Sequence, residues 1–115
     1  MKNLNFRLDT VKNVLAKLSN EFDVDKPELH FKNMKRLHGF YTFDAITLNL
    51  DTLHNNLAEA VRTVRHEFYH YLEDILSLPK KKSELKARRF EKNRLVLGIL
   101  PKSQTKLVEV GEVKP

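Results

Sequence analysis

The sequence predicts an α+β domain, with an N-terminal helix, a small, mostly antiparallel three-stranded sheet, and two further helices. Three observations carry that expectation. Apolar residues recur at helical spacing over residues 10–22, three short strand-like segments lie between residues 28 and 50, and an unbroken helical pattern runs from Asn56 to Pro79. At 115 residues the chain suits one domain with one hydrophobic core.

The first helix rests on Val11, Val14, Leu15, Leu18 and Phe22, a stripe that keeps one face apolar. Asp9 or Thr10 is the expected cap. After "DVDKP" the segment "ELHFKN" is short and alternating enough for a strand. "HGFYTFDAITLNL" divides into strands near 39–43 and 45–50, with the turn at Asp44. Asn56 followed by Glu59 gives a capping-box-like start to the longest helix. Its apolar side is Leu57, Val61, Val64, Phe68, Tyr71 and Ile75, and His66 and His70 fall near the opposite side. A last helix is expected over about 84–97 with Ser83 as cap, since Pro101 cannot continue it. Residues 1–101 are therefore read as the domain, and residues 102–115 as an extended C-terminal tail.

Composition narrows the chemistry. The chain is 41% hydrophobic and 31% charged, and no apolar run approaches the ~18 residues of a membrane span. The opening "MKNLNFRLDT" lacks the apolar stretch of a signal peptide, so the expected location is cytoplasmic. There is no cysteine, which rules out disulfides and thiolate metal sites and leaves His, Asp and Glu as ligands. The net charge of +6 is uneven: residues 80–102 carry nine Lys/Arg against two Asp/Glu, whereas residues 1–79 carry ten against eleven. A basic block of this kind suits an acidic partner or nucleic acid, but it is more often a solvated helix face. No nucleic-acid reading motif accompanies it, which argues against specific DNA recognition.

The chemistry-bearing stretch is "VRTVRHEFYHYLED", with His66, Glu67 and His70 in the spacing HExxH. Residues four apart on a helix stand one above the other, so both imidazoles can reach one zinc at about 2.0–2.1 Å. Glu67 would then act as general base toward a water whose pKa the metal lowers. With five His and nine Glu, chance alone gives this pattern in about one or two such chains per hundred. The plain alternative is a solvated helix with two incidental histidines. A long capped helix after a strand pair is the context that favours the metal site.

A catalytic zinc keeps three protein ligands, and no histidine follows His70, so a carboxylate must complete the set. Glu73 and Asp74 lie too far along the same helix and point past the metal. Glu84 and Glu91 lie on the next helix, which can fold back over the histidines. Glu84 is the first candidate and Glu91 the second. One zinc per chain is expected.

HEFYH with Glu84-Leu85-Lys86-Ala87 resembles the HExxH and ExxA arrangement of gluzincin metallopeptidases, and "GFYTFDAITLNL" is similar to the strand before their active-site helix. Size and order look most like the minigluzincins. The ImmA/IrrE-type proteins come second, because "ELKARRF" resembles their E-x-x-A-N-x-F signature. The resemblance covers roughly residues 29–100. The sequence departs from it at Arg88, where these families usually carry Asp or Asn, and this removes an acceptor that would orient a ligand.

The resemblance implies a zincin-like fold and a zinc endopeptidase acting on extended peptide or unfolded protein. It also implies possible latency, with the tail lying in the cleft of its own chain or of a second copy in a homodimer. Two other classes stand beside this: a regulatory or DNA-associated zinc module acting through partners, and a zinc-stabilised structural protein. Tyr41, Tyr69 and Tyr71 are candidates to stabilise an oxyanion, although aromatics at helical spacing are usually core. His38 suits a surface hairpin better than a cleft. Gly39 suggests a strand irregularity beside an edge open to a peptide.

Overall fold

A computed structural model describes residues 4–92. The element order is α1 (Leu4–Glu21), β1 (Glu28–Lys32), β2 (Gly39–Thr42), β3 (Ala45–Asn49), α2 (Leu50–Asn55), α3 (Leu57–Ile75) and α4 (Ser83–Lys92). This is the expected α+β arrangement of one helix, three strands and then helices. The tail at 102–115, and the part of the expected last helix beyond Lys92, lie outside the described residues.

Helix α3 is the centre of the molecule and packs against α1, α2, β2, β3 and α4. Val11, Leu15, Leu18 and Phe22 meet Ile46 and Leu48 of β3 and Val64, Phe68 and Leu72 of α3 in one core. Phe22, Phe68 and Phe90 form an aromatic cluster, with ring centroids 5.6–6.4 Å apart. Ala87 and Phe90 are fully buried, so α4 belongs to the same core and is fixed over α3 by apolar contact. No described helix is long and apolar enough to cross a membrane.

The sheet corrects one expectation. It is mixed, not mostly antiparallel, with strand order β1-β3-β2. β3 pairs parallel with β1 and antiparallel with β2. The chain crosses from β1 to the far edge before the hairpin brings β3 back between them. Asn49 stabilises that crossing: its Nδ2 donates to the carbonyls of Met34 (2.9 Å) and Leu37 (2.8 Å). Its Oδ1 accepts from the N–H of Asp51 at 3.0 Å, which caps α2, a helix the sequence did not announce.

Helix boundaries also shift. α1 starts by Leu4, so Asp9 and Thr10 lie inside it and Thr10 Oγ1 donates to the Phe6 carbonyl at 2.8 Å. α3 begins at the expected cap, with Asn56 Oδ1 accepting from the Glu59 N–H at 3.0 Å. It stops at Ile75, well before Pro79. Ser77 takes φ 53°, and the N–H groups of Ser77 and Leu78 donate back to the carbonyls of Asp74 and Glu73 at 3.3 and 2.9 Å. This closes the helix with a Schellman turn.

Candidate metal centre

His66 and His70 project from the middle of α3 into the space beneath α4, with ring centroids 5.2 Å apart. They are half-buried. The Schellman turn at Ser77 reverses the chain early enough for α4 to return across them. Glu84, in the first turn of α4, faces both rings: its Oε2 lies 2.7 Å from His66 Nε2 and its Oε1 lies 3.2 Å from His70 Nε2. One ligand atom from each of His66, His70 and Glu84 lies within 4.8 Å of the others, a group able to hold a metal ion.

Behind each ring stands a second carboxylate. His66 Nδ1 donates to Glu91 Oε1 at 2.6 Å, and His70 Nδ1 donates to Glu73 Oε1 at 3.1 Å. The Ser83 hydroxyl donates to the same Glu73 oxygen at 2.7 Å and lies 3.2 Å from His70 Nδ1. A carboxylate only accepts, so a neutral ring whose hydrogen on Nδ1 faces the carboxylate behind it turns the lone pair of its Nε2 toward Glu84. Two lone pairs and the Glu84 oxygens therefore converge on one place. Such convergence of acceptors calls for a cation, and two imidazoles with one carboxylate are a donor set that zinc accepts. The residues fit the ion.

Glu67 lies between the two histidines in sequence and is half-buried. Burial raises its pKa above the ordinary carboxylate value; positive charge on His66 and His70 would pull it down, while Glu84 and Glu91 push it up. A carboxylate tuned upward is better suited to holding a proton.

The edge strand β2 meets the helix face that bears this site. A Cβ built on Gly39 would come within 2.7 Å of both Thr63 Cγ2 and the Thr47 carbonyl, so β2 rests tightly on α3 at that end. At the other end the Tyr41 hydroxyl donates to Asp74 Oδ2 at 2.7 Å. Thr63, Glu67, His70 and Asp74 follow one another at four, three and four residues, a single face of the helix. β2 pairs with β3 on one side only, and its other edge is open among the described residues.

The two carboxylates considered for the third position have separated, with Glu84 facing the Nε2 atoms and Glu91 behind His66. Arg88 is exposed, and Glu91, one turn further on, provides the acceptor missing at that position. The sequence reading had not given Glu91 or Glu73 this orienting place. The only sequence signal for Glu73 is its three-residue offset from His70. Of the tyrosines, Tyr41 is engaged with Asp74, Tyr71 donates to the Asp25 carbonyl at 2.5 Å, and Tyr69 is fully buried. His38 is exposed, with Nδ1 2.8 Å from Thr52 Oγ1. Comparison of the chain with protein-family models, curated proteins and solved structures gives no match.

Proposed function

We propose that this protein is a small zinc-dependent endopeptidase of gluzincin type, with His66, His70 and Glu84 as ligands and Glu67 as general base. The observation that carries the reading is the convergence of both Nε2 atoms and the Glu84 carboxylate, with each Nδ1 tied back to a carboxylate. A bound zinc supplies a Lewis acid that polarises a peptide carbonyl and brings the pKa of water toward ~7.

The chain's own groups do the rest. Glu67 accepts the proton that the attacking water gives up and returns it to the amine nitrogen as the C–N bond breaks, leaving a carboxylic acid and an amine, which become carboxylate and ammonium once the acid gives up its proton. Glu91 holds the His66 imidazole in one orientation, so that this ligand is in place before substrate arrives. An extended peptide adding to the open edge of β2 would present backbone carbonyls along the helix face that carries Glu67 and His70.

The test uses zinc-loaded full-length protein and casein, an unfolded substrate. Cleavage should stop on chelation, return with zinc, and fall by ~100-fold or more in Glu67→Ala, which keeps its metal. Undiminished cleavage by Glu67→Ala would overturn the reading, as would no cleavage by the zinc-loaded protein both intact and truncated after Lys102.

A further inference from the structure

Glu73 is one of the most buried side chains of the protein, at 1% relative exposure, and the one charged group among the buried residues described. Only one of its oxygens is engaged. Oε1 takes the His70 Nδ1–H and the Ser83 hydroxyl, while Oε2 is buried and has no hydrogen-bond partner among the described residues.

A buried, half-satisfied carboxylate is costly, and a core position would be better filled by an apolar side chain of the same volume. Ala87 and Phe90 hold α4 down by apolar burial whether or not Glu73 is present. What it does contribute is directional. An acceptor behind Nδ1 fixes the ring's tautomer and its rotation, and it makes Nε2 more basic. Ser83, at the start of α4, aims that acceptor through the 2.7 Å bond from its hydroxyl. The same residue thus links the arrival of α4, which brings Glu84, to the orientation of His70.

We propose that Glu73, aimed by Ser83, is the positioning residue of the second histidine, holding His70 so that its Nε2 faces the metal; this rests on the metal-site reading above. It is placed to raise metal affinity at the expense of the metal-free fold. Those two effects have opposite signs in a variant, which separates this role from a merely structural one.

The experiment measures zinc affinity of the full-length chain by competition with a chromophoric chelator, beside the thermal midpoint of the metal-free protein. Glu73→Gln keeps the shape and removes the charge. It should weaken zinc by ~10–100-fold, the usual consequence of losing such a partner, without lowering the metal-free midpoint. Ser83→Ala, whose site is only half-buried, should weaken zinc to a smaller degree and provides the same readout if Glu73→Gln does not fold. If the wild type binds zinc and both variants bind it within about twofold of wild type, the inference falls and the metal site stands. A Glu73→Gln protein that loses metal-free stability but keeps its zinc affinity would mark Glu73 as structural and would also overturn it. If the wild type takes up no zinc, the metal-site reading falls and the inference with it.

Discussion

Asp74 shows how one exposed side chain can join three parts of the molecule. Its Oδ2 accepts from the Tyr41 hydroxyl on β2 at 2.7 Å, and its Oδ1 pairs with Lys80 in the loop to α4. The hydrogen bond from Lys80, and then that from Tyr41, hold its carboxyl below the ordinary range. A depressed folded-state pKa gives stability that is present above the unfolded value of ~3.9 and is lost as pH falls through the folded value. Asp74→Asn should therefore be modestly less stable than wild type at pH 7, modestly because the pair is solvent-exposed. The gap should narrow as the medium is made more acidic than pH ~4. Thermal midpoints of both proteins across that range give the answer, and a gap that stays constant into acid would contradict the assignment. Residue roles of this kind depend on contacts the sequence does not encode locally: Tyr41 and Asp74 lie 33 positions apart.

Among the elements, β2 owes its close placement on α3 to one residue. Gly39 lets it lie against α3, because any side chain there would meet the Thr47 carbonyl and Thr63 Cγ2 at 2.7 Å. Gly39→Ala should cost ~1–3 kcal/mol by overpacking and should move the strand away from the helix face bearing Glu67. Thr63→Ser removes the crowding methyl but keeps the hydroxyl that donates to the Glu59 carbonyl at 2.8 Å. Added to Gly39→Ala, it should restore part of the loss in a urea titration; an Ala variant as stable as wild type would mean that β2 does not sit so close. The apolar stripes made the long helices readable, because tertiary packing uses the same faces. Their limits were half readable: α1 ends within a residue of the expected place but starts by Leu4, and α3 starts after the expected Asn56 cap but stops at Ile75. α1 and α3 both finish on left-handed residues, Asp23 and Ser77 with φ 53°, where glycine would have announced the stop. The sheet's direction was hidden for a different reason: alternation tells which face a strand buries, not which way its neighbour runs. That information sits in the loop held by Asn49. Phe43 and Asp44, with φ 43° and 64°, form a hairpin tip at the expected place without the usual Asn-Gly.

At the scale of the whole molecule, the site is the seam between α3 and α4. His66, Glu67 and His70 were readable because one helix fixes their spacing. A ligand from α4 was readable as a carboxylate by elimination. What separates Glu84 from Glu91 is how α4 lies, and that follows from the burial of Ala87 and Phe90 in the core. Of the carboxylates behind the rings, Glu91 was hidden, because it reaches His66 across 25 positions, and Glu73 had only its three-residue offset from His70 as a signal. A metal held by groups from both helices binds the folded state only, so it should also stabilise that seam, by ~4 kcal/mol at a thousandfold excess over Kd. The most direct measurement is the zinc content of purified wild type, His66→Ala and His70→Ala after zinc loading and desalting, read by elemental mass spectrometry. One zinc per wild-type chain and a near-complete loss in each variant is the predicted result; stoichiometric zinc retained by either histidine variant, or none in the wild type, would contradict it.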